Sequence, residues 1–269
     1  TYNDEGNIYS YNIQTKQQII VSDDVHNNYS YDPQVFGDYV VWYGYDGSKN
    51  NIYLNDLETG ISEKVSTGLD NAHNPKIYGR KIIYTDTSSS LVSDIYLYDI
   101  DTKEQIKIVE GIESYIKTDF YGSSVVWTSE YGGEMSIRLY DLKTQEIKNI
   151  GYTNSTQSNV SIHNNKIVWM EEKGSEYGPY NNIHMYDLGT NNEYQITSNT
   201  KVENNPIVYG DTIVWEKNTG SGIFLYMKKV YTVPDSPINP TVEGDKETPE
   251  FDIDWENPYD PSGMYGAWY

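Results

Sequence analysis

Hydrophobic positions in this chain fall in short bursts between polar turns, and the bursts recur. One segment returns five times: Val35-Phe-Gly-Asp-Tyr-Val-Val-Trp42, Ile77-Tyr-Gly-Arg-Lys-Ile-Ile-Tyr84, Phe120-Tyr-Gly-Ser-Ser-Val-Val-Trp127, Ile162-His-Asn-Asn-Lys-Ile-Val-Trp169 and Val208-Tyr-Gly-Asp-Thr-Ile-Val-Trp215. Its closing aromatic steps by 42, 43, 42 and 46 residues. A second segment returns six times: Asn7-Ile-Tyr-Ser-Tyr-Asn12, Asn51-Ile-Tyr-Leu-Asn-Asp56, Asp94-Ile-Tyr-Leu-Tyr-Asp99, Ser136-Ile-Arg-Leu-Tyr-Asp141, Asn182-Ile-His-Met-Tyr-Asp187 and Gly222-Ile-Phe-Leu-Tyr-Met227. A looser apolar stretch follows each of the first five copies.

These patterns dictate strands. Gly-Asp or Asn-Asn between two β-branched runs makes a two-residue hairpin, because those residues tolerate positive φ. The first segment is therefore a pair of antiparallel strands, A and B. The second alternates along one strand, C, and ends in turns such as Asp56-Leu-Glu-Thr-Gly60 that lead into a fourth, D. No stretch sustains a helical period. Four short strands per 40–45 residues, with an aromatic signature in each, predict an all-β chain folded as a single β-propeller of four-stranded antiparallel blades. A β-solenoid usually repeats in shorter coils, and a row of sandwiches would not repeat one hairpin at constant spacing.

The pattern Pro-x-Ile-x-Gly-Asp-x-Ile-Val-Trp, a polar loop, then Asp-Ile-Tyr-Leu-Tyr-Asp-Leu-x-Thr-Gly resembles TolB-type propeller repeats. More narrowly, it is similar to the tandem propeller repeats of bacterial and archaeal cell-surface proteins. The resemblance spans about residues 7–230 and implies a binding platform or scaffold. It supplies no catalytic motif, and nothing here matches the helical N-terminal domain of TolB.

Five A–B hairpins stand against six C strands. The tally favours six blades, the first incomplete at the N-terminus; five blades closed by strands from both ends are the alternative. The propeller is expected to occupy residues 1–233. A Pro-rich acidic linker and aromatic tail, 234–269, follow. Within the tail, Phe251-Asp-Ile-Asp-Trp255 alternates like an isolated strand. Such a strand is unstable alone. Phe251, Ile253, Trp255 and Trp268 are therefore expected to make contacts on the propeller or on a neighbouring subunit.

Composition narrows the function. Net charge is -21, with 40 acidic against 19 basic residues. That balance argues against nucleic acid and anionic membranes and fits a basic partner or solubility alone. No run of 18 apolar residues exists to span a membrane. There is no cysteine, which removes disulfides and thiolate chemistry. The opening Thr1-Tyr2-Asn3-Asp4 reads as a processed or trimmed terminus.

Alternating strands put the A–B and C–D turns on one face and the B–C and D–A loops on the other. The turn face is nearly uniform, while the loop face varies, and variable loops on a rigid frame are where recognition usually sits. The loop-face candidates for binding are Tyr45, Asp46, Glu130, Tyr131, Glu171, Glu172, Tyr177, His26 and His73. Tyr beside Asp and Glu suits a sugar ring or a protein interface. His163 and His184 replace aromatics of the repeat and read as repeat variants.

Catalytic signatures are missing from the sequence. There is no G-x-S-x-G elbow, no H-x-x-x-H spacing and no phosphate-binding loop. Glycosidase chemistry would need two carboxyl groups about 5–9.5 Å apart, drawn from different blades. Asp252, Asp254, Glu256 and Asp260 offer oxygen ligands for Ca2+ but lack an EF-hand pattern, so no cofactor is expected. The sequence therefore reads as a non-enzymatic, secreted or cell-surface module that binds protein or carbohydrate and self-assembles through its tail. The alternatives are a carbohydrate-active enzyme, a glycosidase or lyase, and a periplasmic TolB-like partner protein.

Overall fold

The computed structural model describes residues 2–4, 6–22, 29–88, 92–113, 117–131, 134–151, 155–173, 180–198 and 201–230. The chain forms two compact units, Thr1–Val230 and Tyr231–Tyr269, and every described residue belongs to the first. The tail residues Phe251, Ile253, Trp255 and Trp268, and the proposed Ca2+ ligands among them, lie outside the described residues, as do His26 and Tyr177.

The described residues are all-β, in six antiparallel sheets. The first contains β1 (Tyr2–Asp4), β2 (Asn7–Asn12) and β3 (Gln17–Ile20). The second contains β4 (Ser30–Phe36), β5 (Tyr39–Tyr45), β6 (Asn50–Asp56) and β7 (Ile61–Lys64). The third contains β8 (Ala72–Tyr78), β9 (Lys81–Thr87), β10 (Val92–Asp99) and β11 (Gln105–Glu113). The fourth contains β12 (Thr118–Tyr121), β13 (Ser124–Tyr131), β14 (Glu134–Asp141) and β15 (Glu146–Ile150). The fifth contains β16 (Gln157–His163), β17 (Lys166–Lys173), β18 (Tyr180–Asp187) and β19 (Asn192–Gln195). The sixth contains β20 (Val202–Tyr209), β21 (Thr212–Asn218) and β22 (Ile223–Lys229). Each sheet is a simple meander. The first strands of consecutive sheets, β4, β8, β12, β16 and β20, neighbour one another and so line a common axis. The second to fifth sheets have the four strands of β-propeller blades, and the first and sixth have three each among the described residues.

The repeat builds the core between blades. Ile8 and Val21 of the first sheet pack on Val40, Trp42 and Tyr53 of the second. Val41, Ile52 and Leu54 then pack on Ile82, Tyr84 and Tyr98 of the third. The same step recurs between third and fourth, fourth and fifth, and fifth and sixth sheets. Alternation along each strand sends one residue set to the preceding blade and the other to the following one.

Local chemistry fixes the strand shapes. Four inner strands carry a bulge where the register shifts, between Tyr31 and Gln34, His73 and Lys76, Ser158 and Ser161, and Asn204 and Ile207. Each bulge holds one left-handed residue: Asp32, Asn74, Asn159 or Asn205. Asp and Asn tolerate that conformation best among residues with a side chain, and bulges bend a strand. The C–D turns are closed by a carboxylate or amide at the end of strand C. Asp56 Oδ1 accepts from Glu58 N and Thr59 N, and Asp99 Oδ1 from Asp101 N and Thr102 N. Gly60 leaves the second-sheet turn with φ 72°, whereas Gln145 holds the fourth-sheet equivalent at φ 60°. Gln145→Gly is therefore expected to raise stability by up to about 1 kcal/mol, read as an upward shift of the urea midpoint.

Three details differ from the sequence reading. The six C strands against five hairpins implied a first blade that begins at its C strand, Asn7–Asn12, but β1 precedes it and pairs with β2, Tyr2 opposite Tyr9. The B–C connections, read from the sequence as loops near 128–135 and 170–181, are shorter, because strand pairing continues through Glu130↔Met135, Glu171↔Asn182 and Glu172↔Asn181. Those glutamates are strand residues. Finally, the sixth C strand sits two residues out of the sequence alignment. Trp42 pairs with Tyr53, Tyr84 with Tyr96 and Trp169 with His184, but Trp215 pairs with Tyr226. Leu225 thus takes the place of Ile52, and Met227 that of Leu54. Val230 N donates to Asp211 O at 2.7 Å, just as Leu57 N donates to Asp38 O at 2.7 Å. A slip of two keeps every side chain on its face.

That face is fully buried in the inner blades, with Ile52 and Ile183 at 0%, yet Leu225 is 56% exposed. Leu225→Ser should therefore change unfolding free energy by no more than about 0.5 kcal/mol, as at an ordinary surface position. A larger loss in urea titration would mean that something covers this face.

Candidate functional site

The loop-face candidates fall into separate environments. Tyr45 ends β5, and its hydroxyl donates to Gly47 O at 3.0 Å. Asp46 organises the B–C loop: its carboxylate accepts from Ser48 N at 3.0 Å, Ser48 Oγ at 2.7 Å, Lys49 N at 3.1 Å and Asn51 Nδ2 at 2.8 Å. The hydrogen bonds from Ser48, then that from Lys49, hold its pKa far below the usual carboxylate range. This loop touches the next D–A loop, where Asn50 N donates to Asn71 Oδ1. His73 lies beside it, with Nδ1 2.9 Å from Asn71 O and Nε2 3.3 Å from Thr87 Oγ1. Asn71 thus links the Asp46 loop, which follows Tyr45 at the end of β5, to His73, which is a residue of strand β8. A cavity of about 270 Å³ opens there, lined by Leu69, Asp70, Asp86, Asp94 and Tyr96. Asp86 accepts from Asn71 N at 2.7 Å, and Asp94 pairs with Lys107 at 2.9 Å, so both carboxylates serve the fold.

Glu130 and Tyr131 end β13, in the fourth sheet. Glu172 is exposed on β17, whereas its neighbour Glu171 is 1% exposed and turned inward. Glu171 Oε2 lies 2.6 Å from His184 Nε2, and its other oxygen accepts from Ser155 Oγ. His184 Nδ1 is 3.1 Å from Glu193 Oε1, and Lys173 Nζ is 3.6 Å from Glu171. The His184 ring stacks on Trp169, with centroids 5.8 Å apart. Burial pushes the His184 imidazole down, but the two carboxylates outweigh it and its pKa is raised. His184 is more than a repeat variant: it is an ion-paired core residue. Among the described residues no group of three or more His, Cys, Asp or Glu side chains is arranged to hold a metal ion.

The turn face holds a feature that the sequence reading passed over. The last residue of each inner strand is aromatic or imidazole: Phe36, Tyr78, Tyr121, His163 and Tyr209. These five rings touch in succession around the axis. Their centroids are 4.9 Å apart for Phe36–Tyr78, 4.3 Å for Tyr78–Tyr121, 4.4 Å for Tyr121–His163 and 4.4 Å for His163–Tyr209. Gly210 N donates to His163 Nδ1 at 3.0 Å, and burial pushes that imidazole down, so the ring is neutral with its proton on Nε2. The hydrogen bond with Tyr78, then burial, push the Tyr121 hydroxyl up. The signal was present in the repeat, one position before each hairpin Gly or Asn. Reading it required knowing that inner strands converge.

Buried or charge-assisted ties reinforce this face. Lys166 is almost fully buried and pairs with Asp211 of the next sheet at 2.8 Å. Ile162 N donates to Asp119 Oδ2 across sheets at 2.8 Å. The Arg80 guanidinium lies 4.9 Å over the Tyr39 ring, bonds the Tyr39 hydroxyl, and pairs with Asp101 at 2.7 Å.

No protein-family model matches the sequence, and no curated protein matches it either. Solved structures do match. TolB from Acinetobacter baumannii aligns with a TM-score of 0.57 and 18% identity over 83% of this chain and 57% of that one. A structure from work on two prolyl endopeptidases aligns at 0.61 and 11% identity, over 75% of this chain and 34% of that one. A chain of the nidogen/laminin complex aligns at 0.53 and 12% identity, over 82% of this chain and 85% of that one. The chain thus spans a little over half the length of the TolB structure and about a third of the endopeptidase. At these identities the likeness speaks for the fold, which other protein classes share. With its meandering blades around a common axis, the chain has a TolB-like β-propeller fold.

Proposed function

We propose that this propeller is a non-enzymatic module, secreted or displayed at the cell surface, that binds a protein partner. The observation that carries this reading is how the conspicuous acids are used. Asp46 closes a loop, Asp86 and Asp94 anchor backbone and lysine, and Glu171 is buried against His184. Each is spent on holding the frame, leaving a rigid, acidic, aromatic-rich scaffold. Such a surface steers basic partners. A structural neighbour comes from a nidogen/laminin complex, which fits a protein-binding role for the fold.

The test sets this against a carbohydrate-active enzyme. Incubation with a panel of polysaccharides is expected to release no reducing ends above a heat-treated control. Turnover that disappears in Glu130→Gln would overturn the proposal and point to glycosidase chemistry. Self-assembly through the tail belongs to the same proposal: removing residues 234–269 should lower the number of chains per particle obtained by light scattering. An unchanged monomer removes that part alone.

A further inference from the structure

The aromatic arc on the turn face has two ends. Among the described residues, Phe36 touches only the ring of Tyr78, and Tyr209 only that of His163. Each end ring therefore has a single ring neighbour among the described residues. Both are open to solvent: Phe36 is 39% exposed and Tyr209 76%. A carboxylate stands two residues beyond each end ring, in the hairpin turn. These are Asp38 and Asp211; the intervening turns carry Arg80, Ser123 and Asn165 at that position. Asp38 is exposed, and its carboxylate has no partner among the described residues. Asp211 gives one oxygen to Lys166 and stays 56% exposed.

An aromatic face next to a carboxylate is a seat for a cation. The ring quadrupole attracts the charge and the carboxylate pairs with it. This same face already contains one filled example, because Arg80 lies over the Tyr39 ring and pairs with Asp101. The ends of the arc repeat that combination: at Phe36 and Asp38 the described residues supply no cation, and at Tyr209 and Asp211 Lys166 takes one carboxylate oxygen and leaves the other. A pyranose would also stack on such rings. The flanking carboxylates and the net charge of -21, however, favour a positive occupant.

We propose that the turn-face mouth of the propeller axis is a docking site for a basic protein partner. Arginine or lysine side chains of that partner seat on Phe36 with Asp38 and on Tyr209 with Asp211. The proposal rests on the reading of the chain as a protein-binding module and names the face and chemistry of the contact. Arginine is the better occupant, since its planar guanidinium stacks on a ring while pairing with a carboxylate.

The experiment uses the full chain and a fluorescein-labelled nine-residue Gly-Ser peptide carrying three arginines. The control is the same peptide with citrulline, which keeps the shape and removes the charge. Anisotropy titrations at ~0.15 M salt suppress contacts between distant surface charges. The arginine peptide should bind at least tenfold more tightly than the citrulline peptide. Tyr209→Ala and Asp38→Asn should each weaken it about two- to fivefold, the range expected for one exposed cation–ring or charge contact. Asp38 has no described partner to lose, so Asp38→Asn tests the site without disturbing the fold. Glu130→Gln and Glu172→Gln, on the opposite face, should leave binding unchanged.

Three results would overturn the site. Equal affinity for the arginine and citrulline peptides removes the cation. Weakening by Glu130→Gln or Glu172→Gln but not by Asp38→Asn moves the contact to the loop face, and the protein-binding reading survives. Saturable binding of a chito- or malto-oligosaccharide in place of the peptide replaces the protein partner with a glycan, and both readings fall.

Discussion

Glu171→Ala is expected to destabilise the fold by about 3–5 kcal/mol, the usual cost of removing one partner from a buried ion pair. Glu171 is 1% exposed and faces an imidazole whose other nitrogen already meets Glu193. The variant leaves the ring buried with a single carboxylate and also deprives Ser155 of its acceptor. Lys173 loses its nearest counter-charge as well. Glu171→Gln keeps the shape and an acceptor oxygen, so it should cost less than Glu171→Ala.

The same cluster gives stability a pH signature. Because the folded-state pKa of His184 lies above its ordinary value of 6.5, the protonated ring contributes stability that is fully present below about pH 6.5. That contribution is lost as pH rises through the folded value. Urea titrations of the wild type should therefore show a decline as pH rises from about 6.5, and Glu171→Ala should flatten it. An identical pH slope in both proteins would show that His184 is not the group responsible.

Trp169→Ala is expected to cost about 3–5 kcal/mol, as for other large aromatic truncations in a packed core. Trp169 is 0% exposed in the cluster that joins the fourth and fifth sheets, beside Val160, Ile162 and Ile167. It also closes over Gly151, where an added Cβ would lie 3.1 Å from the indole. Trp169→Phe should recover part of the loss. Because the indole stacks on His184, Trp169→Ala combined with Glu171→Ala should cost less than the sum of the two singles. Strict additivity in urea melts would deny that Trp169 and the ion pair form one unit.

The blades themselves were legible because the repeat encodes them locally. Gly-Asp and Asn-Asn hairpins, alternating Ile-Tyr-Leu strands and Asp-led turns each state their geometry within a few residues. The sixth C strand shows the limit of that reading. Ile223-Phe-Leu-Tyr-Met227 matches the motif best at one register, yet the backbone adopts another, two residues along. A period-2 strand gives both registers the same face, so side-chain pattern alone does not separate them. The deciding contact, Val230 N to Asp211 O, is a backbone bond that leaves no trace in residue identity.

Site residues were less legible for a related reason. Glu171 and Glu172 are adjacent acids in the sequence, but alternation buries one and exposes the other. Which one turns inward depended on strand β17 continuing past the expected loop boundary. His184 resembled a simple variant of the C-strand tyrosine, because its two carboxylate partners come from other strands. The aromatic arc needed five blades to be placed around one axis before its members became neighbours.

The chain of inter-blade cores has a mechanical consequence. Each hydrophobic cluster joins one sheet only to the next, so stability accumulates along the chain as a series of nearest-neighbour couplings. A sheet in the middle is held from two sides, and the sixth, with Leu225 and Met227 exposed, has a hydrophobic cluster with the fifth alone among the described residues. Opening should then begin at such an end and advance blade by blade. Amide exchange would be graded, fastest in β20–β22 and slowest around Ile83, Ile95, Val125 and Val126. In such an array a whole repeat can be gained or lost with one interface remade and the others untouched, which makes blade number the easiest property of this architecture to change.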